Sequence, residues 1–314
     1  MLVSNKEQKD YSLLVAQMQL FSSRIPLVRA VAIAYSQVLE TVEVESHSQK
    51  TILVQTFVNY TITTPSSQIA AKVPELKVSV RETAKKVMEM SSTSLERQHS
   101  EMWTNLWSSG FGISHSKAPN ALNGDSINGT LYYLLSQRNT FPFDTDFMSF
   151  NDFGQTVLQS KELLLSPDRC YTGHSTLRAP NLWSKLETLS EVNRIASLWL
   201  LTLEKQGCHH LISSGAQGVM QAMILSMASL QFTHNHLEFN TPPNELHRNY
   251  YIRRIIYGNE TLINITVALD HNNKAQIFVT LDKNSANKQF YACDAGCLDA
   301  PVRSVPKFLL IWIF

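Results

Sequence analysis

The sequence lacks an excess of charge of either sign. Its 27 Lys and Arg residues nearly balance its 26 Asp and Glu residues, so the formal net charge is +1. A nucleic-acid-binding domain normally carries a basic excess or a basic stripe, and the composition therefore argues against that class. Internal repeats and low-complexity tracts are also missing, while 44% of the residues are hydrophobic. These features predict a folded globular protein.

Long hydrophobic runs are missing at both ends of the chain. The start, MLVSNKEQKDYSLL, lacks the continuous apolar stretch of a signal peptide. The apolar run at residues 308–314 is too short to cross a bilayer, which needs about 20 residues. Two interpretations of this run stay open. It is either a last buried strand or a membrane helix cut short by an incomplete or alternatively spliced gene model.

Cysteine is scarce, and the four residues of this type are Cys170, Cys208, Cys293 and Cys297. If the chain is lumenal, a local Cys293–Cys297 disulfide and a longer Cys170–Cys208 disulfide are expected. Because two histidines follow Cys208 directly, a Cys/His metal site stays as an alternative, as do free buried thiols. We predict no metal and no cofactor.

Four sequons for N-glycosylation are present, at Asn59, Asn128, Asn259 and Asn264. The chain contains 20 Asn and 55 Ser or Thr among its 314 residues. Random placement of these residues gives about 3.5 sequons. The sequons therefore permit a lumenal address but do not establish one.

Short runs rich in Val, Ile, Leu and Thr predict β-strands from residue 11 to about residue 80. The runs are LLVAQMQLF, LVRAVAIAYSQ, TILVQTFVNYTIT and ELKVSVRE. In the third run polar residues fall on both faces of the strand, which favours a sandwich strand over a buried parallel strand. A second β region follows residue 232, with hairpin turns at residues 270–273 and 284–287.

The apolar spacing becomes helical over residues 81–109. His99, Trp103 and Trp107 are four residues apart, so they share one face of this predicted helix and are expected to pack it on its neighbours. An amphipathic helix is predicted over residues 186–201, ending at Gly207. The following run, GAQGVMQAMILSMASL, is apolar on nearly all sides and is expected to be buried, with Ser213 or Ser214 as its N-cap.

Three segments of the chain resemble the six-hairpin glycosidases, and most closely glycoside hydrolase family 65. The segment GAQGVMQAMILSMASL and the strands after it resemble the last barrel helix and C-terminal strands of that family. FPFDTDFM distantly resembles a barrel loop that binds sugar hydroxyls. A further segment is similar to the family's barrel-entry pattern, here His99, Trp103, Trp107, Gly124, Asp125 and Tyr132 or Tyr133.

The predicted order of strands, helices and strands indicates an α+β protein, and the resemblance implies its divisions. It combines a partial β-sandwich, an abbreviated (α/α) helical domain of the six-hairpin type and a small C-terminal antiparallel β-sheet. The expected divisions are a sandwich portion over residues 1–80, a linker helix and helical domain over 81–235, a sheet over 236–300 and a divergent apolar tail over 301–314.

A second resemblance involves GHSTLRAPNLW, TLEKQGCHHLISSGAQGVMQAMILS and FYACDAGCLDAPV. These segments resemble an uncharacterised animal family of single-pass type I membrane proteins in the KIAA series, which carries a domain of unknown function. Residues from about 10 to 302 are covered. The resemblance implies a lumenal ectodomain in the endoplasmic reticulum, the Golgi or at the surface, with a membrane anchor largely absent from this chain.

Asp144 and Asp146 are the strongest carboxylate candidates for a sugar site. In an extended loop they point to opposite sides, so they form a poor acid/base pair. The region between residues 99 and 230 has room for about five or six helices, whereas a full (α/α)6 barrel has twelve. This room is too small for the hairpins that carry the catalytic acid in the resembled family. The enzyme question therefore stays open, and the predicted substrate-binding residues are Asp144, Asp146, Trp103 and Trp107.

Three hypotheses for function follow. The first is a non-catalytic, glycosidase-like module of a secretory-pathway membrane glycoprotein, which binds a glycan or a lumenal protein and no nucleic acid. The second is an α-glycoside hydrolase or phosphorylase of the family 65 type. The third is a truncated, non-functional isoform, in which helices such as residues 218–230 would expose apolar surface.

Overall fold

A computed structural model describes most of the chain. Helices and antiparallel sheets both contribute, so the predicted α+β class is confirmed. The chain divides into two units, Met1–Glu101 and Met102–Phe314. The residues that the structure describes are 11–20, 27–37, 40–52, 54–61, 64–138, 164, 167–233, 236–258, 261–284, 289–292, 303–304 and 309–312.

The N-terminal unit contains one antiparallel sheet within its described residues. Its central strand pairs with the first strand along one edge and with the two later strands along the other. Three of the four predicted strand runs therefore lie side by side. The strands are β1 (Tyr11–Leu20), β2 (Leu27–Ser36), β3 (Thr56–Tyr60) and β4 (Thr64–Pro65).

Helix α1 (Ile69–Met88) packs on one face of this sheet. Alternate residues of β2, namely Ala30, Ala32 and Ala34, are fully buried and form a core with Leu76 of the helix. The small alanine side chains let the helix approach the sheet closely. The core of this unit therefore lies between one helix and one sheet face.

The prediction of a fourth strand at ELKVSVRE was wrong, because these residues belong to α1. A strand would place Leu76, Val78 and Val80 on one buried face. In the structure Leu76 and Val80 are buried while Val78 is 50% exposed. Leu76, Val80 and Ala84 repeat every four residues, and this helical stripe faces the sheet. Three alternating residues were too few to distinguish the two periods.

The C-terminal unit contains a five-stranded antiparallel sheet with the order β13-β10-β9-β8-β5. The turn at residues 270–273 joins β9 to β10 as predicted, and the Asp270 carboxylate accepts hydrogen bonds from the backbone N–H groups of Asn272 and Lys274. The second predicted turn lies mostly outside the described residues. The strands of this sheet are β5 (Gly110–Ile113), β8 (Tyr250–Ile256), β9 (Thr261–Leu269), β10 (Ala275–Asn284) and β13 (Leu309–Trp312).

Two outcomes concern the ends of this sheet. The apolar run near the end of the chain forms β13, which pairs with β10, so the interpretation of this run as a strand is confirmed for Leu309–Trp312. The first strand, β5, follows the helix that carries Trp103 and Trp107, and it pairs with β8 through Phe111 and Ile252. This strand was not predicted, because it is four residues long and contains two glycines. Two small strand pairs also lie within the described residues, β6 (Leu230–Thr233) with β7 (His236–Phe239) and β11 (Tyr291–Ala292) with β12 (Arg303–Ser304).

Helices and sheet share one hydrophobic core in the C-terminal unit. Helix α6 lies at its centre and contacts the other helices α3, α4 and α5 as well as β5, β6 and β8. The α-helices of this unit with described bounds are α2 (Ser92–Ser108), whose last turns belong to this unit, α3 (Gly124–Ser136), α4 (Leu189–Lys205), α5 (His209–Ser213) and α6 (Ala216–Met227).

The predicted amphipathic helix is confirmed as α4. It begins at a capping box, in which the Glu191 N–H donates to Thr188 Oγ1 and the Thr188 N–H donates to the Glu191 carboxylate. Hydrogen bonds from the Thr188 side chain and backbone lower the pKa of Glu191. Gly207 follows the helix with a φ of 85°, a conformation that favours glycine.

The predicted burial of the next helix is also confirmed, since nearly every residue of α6 is buried. The apolar exposure expected for a truncated isoform is therefore absent from this helix. The predicted N-cap was wrong. Ser213 ends α5, and the Ser214 hydroxyl donates to the carbonyl oxygen of Leu211, while Gly215 occupies the cap position without a side chain.

Gly218 allows α5 and α6 to approach closely. A Cβ atom at this position would overlap the carbonyl oxygen of Leu211 and the hydroxyl of Ser214. We therefore expect Gly218→Ala to lower the free energy of unfolding by about 2 kcal/mol, although alanine is the better helix former. Urea unfolding followed by circular dichroism measures this change.

Gly129 provides a matched control for that substitution. It also lies inside a helix, α3, but the nearest atom to an added Cβ is Leu186 Cδ1 at 3.9 Å, an ordinary contact distance. Gly129→Ala should therefore raise stability by about 0.5–1 kcal/mol. If both substitutions change the free energy of unfolding in the same direction, the close approach of α5 and α6 at Gly218 is not what limits the residue at this position.

Candidate aromatic binding site

Four aromatic side chains from α2 and α3 form a cluster at the surface of the C-terminal unit. Trp103 and Trp107 lie one helical turn apart on α2, with ring centroids 6.2 Å apart. The Trp103 ring stacks on Tyr132 of α3 at 5.0 Å and 30°. Tyr132 in turn contacts Tyr133 edge to face at 5.4 Å. We call these four residues the aromatic cluster.

The cluster is partly open to solvent. Tyr132 is 47% exposed and Tyr133 is 39% exposed. Trp103 and Trp107 are half-buried and pack against the main core on their inner sides. The inner sides of the two tryptophan rings therefore pack α2 on its neighbours, as expected, while their outer sides do not. Exposed rings with an apolar face and a polar hydroxyl or indole group are well suited to contact an amphipathic ligand.

Buried residues and backbone hydrogen bonds hold both helices in place. The carbonyl oxygen of Trp107 accepts a hydrogen bond from Arg253, and the Ser109 hydroxyl donates to the carbonyl oxygen of Arg254, so the end of α2 is joined to β8. Helix α3 is anchored by apolar side chains on its inner face. These are Ile127, Leu131, Leu134 and Leu135.

Arg248 anchors the loop that leads into α3. Its guanidinium donates to the carbonyl oxygens of Ser114 and Leu122 and to Asn123 Oδ1. Burial of the guanidinium lowers the pKa of Arg248. Asn123 also exchanges two hydrogen bonds with the backbone of Ser116. No sequence pattern indicates this arginine, because its partners lie more than 120 residues away along the chain.

The structure places the other candidate residues as follows. Asp125 lies in the first turn of α3, where its charge suits the helix N-terminus. His99 is an exposed residue of α2. Asp144 and Asp146, the proposed sugar-binding carboxylates, lie outside the described residues. The cluster therefore unites Trp103 and Trp107 with tyrosines that sequence analysis noted only as part of a resemblance.

The Cys170–Cys208 disulfide is present, with the two Cα atoms 4.5 Å apart. Both cysteines are buried in the main core, at 1% and 0% exposure. Because Cys208 is bridged, it cannot supply a thiolate to the alternative Cys/His site. Cys293 and Cys297 lie outside the described residues, so their pairing stays a prediction.

Three of the four sequons fall within the described residues. Asn128 is exposed on α3. Asn59 of β3 donates through Nδ2 to the hydroxyl of Ser79 at 3.0 Å. Asn264 of β9 accepts a hydrogen bond through Oδ1 from the backbone N–H of Arg254 at 2.7 Å. Asn259 lies outside the described residues.

Within the part of the chain that the structure describes, perturbed pKa values do not mark an acid/base pair. Backbone hydrogen bonds, chiefly from Lys274, lower the pKa of Asp270, as the capping box does for Glu191. A general acid of a glycosidase instead needs a raised carboxyl pKa. Burial raises the pKa of Tyr171 to about 12, and this hydroxyl donates to the carbonyl oxygen of His174 at 2.6 Å. That contact is structural.

The described ranges lack both a metal-binding cluster and a membrane-spanning helix. No group of three or more His, Cys, Asp or Glu side chains there is arranged to hold a metal ion. No helix in the same ranges combines the length and the apolar character that a membrane crossing requires.

Comparison with known proteins places the chain in a family. The model of the uncharacterized conserved proteins called DUF2152 matches residues 2–308. The chain belongs to this family. No solved structure matches it.

Two relatives are uncharacterized protein KIAA2013 homologs from frogs. The Xenopus tropicalis protein is 38% identical over 242 residues, which cover 74% of this chain and 38% of the relative. The Xenopus laevis protein is 38% identical over 237 residues, with the same two coverages. The chain thus matches less than half the length of these relatives.

Proposed function

We propose that this chain is a non-catalytic binding module of a secretory-pathway membrane glycoprotein, and that the aromatic cluster binds a glycan. The observation that carries the proposal is the stacked Trp103–Tyr132 pair, which lies at the surface with Tyr132 nearly half exposed. The apolar face of a sugar ring can stack on such rings while its hydroxyls bond to the tyrosine hydroxyl groups.

The proposed address rests on separate support. A buried disulfide between Cys170 and Cys208 is typical of oxidising compartments such as the lumen of the endoplasmic reticulum. Asn128 offers an exposed sequon for a glycan. The glycosidase-like scaffold and the membrane anchor belong to the same proposal, and the anchor would be supplied by a part of the longer protein outside this chain.

We expect the purified chain to bind one class of soluble oligosaccharide in a panel of α-glucosyl, α-mannosyl and β-N-acetylglucosaminyl oligomers. Tyr132→Ala and Trp103→Ala should each weaken binding about tenfold, since an aromatic stacking contact contributes about 1 kcal/mol or more. Isothermal titration calorimetry measures these affinities. The Asn128→Gln form is used so that the chain carries no sugar beside the cluster.

Tyr251→Ala is the matched control, because Tyr251 is 44% exposed and belongs to β8, outside the cluster. Its affinity for the oligosaccharide should stay unchanged. Equal losses for Tyr251→Ala and Tyr132→Ala would contradict a site at the cluster. Binding of a protein ligand with no oligosaccharide binding would also contradict the proposal, and turnover of an α-linked disaccharide would favour the enzyme hypothesis.

A further inference from the structure

Helix α3 carries an exposed sequon on the same face as one ring of the aromatic cluster. Asn128 and Tyr132 are four residues apart and therefore neighbours on the helix surface. Both side chains are exposed. Long side chains of a helix lean towards its N-terminus, so the Tyr132 ring extends towards the turn that contains Asn128.

The other residues of this sequon leave the asparagine accessible. Thr130 points into the core with 2% exposure, and its hydroxyl donates to the carbonyl oxygen of Ser126 at 2.8 Å. Gly129, between the two, has no side chain. A glycan on Asn128 would therefore leave the helix on the side where the Tyr132 ring is exposed.

Asn128 is better suited to carry a glycan beside a binding surface than the other described sequon residues. Nδ2 of Asn59 is the atom that glycosylation modifies, and it is already hydrogen-bonded to Ser79. Asn264 is half-buried, and its side chain accepts a hydrogen bond from the backbone N–H of Arg254 at a bulge between β8 and β9.

We propose that the glycan on Asn128 folds over Tyr132 and its stacked partner Trp103, and so occupies the aromatic cluster as a ligand of the same chain. This inference rests on the lumenal address in the proposed function. In the modification, Nδ2 of Asn128 attacks the anomeric carbon of a lipid-linked oligosaccharide diphosphate. The anomeric C–O bond breaks, the lipid diphosphate leaves, and the amide nitrogen loses one proton.

Covalent attachment favours this contact over a contact with a separate glycan. A ligand tethered by a short flexible link has an effective concentration in the millimolar range. Contacts of one or two sugars with aromatic rings are individually weak, so such a concentration suffices to keep the cluster occupied. The attached glycan then regulates the site, because an external oligosaccharide has to displace it.

The test uses the chain secreted from mammalian cells, with the occupancy of Asn128 determined by peptide mass spectrometry. Removing the glycan by Asn128→Gln should lower the melting temperature by about 2–4 °C, the shift expected for about 1 kcal/mol in a unit of this size. In the Tyr132→Ala background the same removal should shift the melting temperature by less than about 1 °C. Thr130→Val removes the sequon without changing Asn128 and serves as a second variant.

Tyr251→Ala is the matched control for the ring. Tyr251 is 44% exposed and belongs to β8, outside the aromatic cluster and away from Asn128 on α3. In this background the effect of removing the glycan should persist. External oligosaccharide should bind about tenfold more tightly to the Asn128→Gln chain than to the glycosylated chain.

The outcomes separate the two proposals. An unmodified Asn128 in the secreted chain overturns the inference, as does a glycan effect of equal size with and without the Tyr132 ring. If the Asn128→Gln chain still binds oligosaccharide through Trp103, the proposed function stands in either case. A third outcome is also possible, in which the Asn128→Gln chain binds no oligosaccharide while the shift in melting temperature depends on Tyr132. The attached glycan is then the ligand of the cluster, and the proposal that the cluster binds a separate glycan is wrong.

Discussion

Trp199→Ala is expected to lower the free energy of unfolding by about 4 kcal/mol. Trp199 of α4 is fully buried, with 0% exposure. Its ring meets Trp183 edge to face at 5.0 Å, and its Nε1–H donates to the carbonyl oxygen of Leu182 at 2.9 Å. The substitution opens a large cavity in the main core and leaves that carbonyl without its donor. Urea unfolding followed by far-ultraviolet circular dichroism gives the change.

Two variants show whether burial causes the loss. Trp199→Phe keeps an aromatic ring but removes the hydrogen bond, so a loss of about 1–2 kcal/mol is expected. Leu189→Ala changes a residue of the same helix that is 75% exposed, and the expected change is within about 0.5 kcal/mol. An unfolding midpoint for Trp199→Ala equal to that of Leu189→Ala would show that α4 is not packed as described.

Removing the Cys170–Cys208 disulfide by replacing both residues with alanine is expected to destabilise the protein by a similar amount. The two cysteines are separated by 38 residues. Closing a loop of that length in the unfolded chain accounts for about 4 kcal/mol in the chain-entropy model. Alanine is the suitable replacement, since both positions are buried and a serine hydroxyl there would need a hydrogen-bond partner.

Reduction of the native protein provides the comparison for this variant. Thermal unfolding of the wild-type chain should move to a lower temperature in reductant, towards that of the double-alanine variant, and the variant should respond less to the same reductant. A double-alanine variant as stable as the oxidised wild type would contradict a structural role for the bridge. Secretion yield offers a further readout, because buried disulfides stabilise folded chains in the lumen.

The accuracy of the sequence predictions depended on the length of each periodic pattern. Helix α4 has an apolar stripe over several turns and a capping box at Thr188, and both its existence and its end at Gly207 were predicted. The ELKVSVRE run offered only three alternating residues, and its assignment was wrong. Strand β5 is four residues long and contains two glycines, so neither composition nor period indicated it.

The candidate site could also be predicted only where its residues lie on one segment of the chain. The spacing of Trp103 and Trp107 is a property of one helix, and sequence alone predicted that they share a face. Their partner Tyr132 belongs to another helix, and Arg248, which anchors the loop before that helix, comes more than 100 residues later. No local pattern links these positions.

The sequence by itself determined the α+β class, the strands and helices with long periodic patterns, and the buried nature of α6, because each follows from the spacing of apolar residues along a short segment. Only the tertiary structure decided that Trp103 stacks on Tyr132 and that β5 joins the C-terminal sheet, and it selected the expected Cys170–Cys208 disulfide from the alternatives that the sequence left open. Such contacts depend on how separate segments pack into a common core, and packing depends on the shapes of all the side chains together.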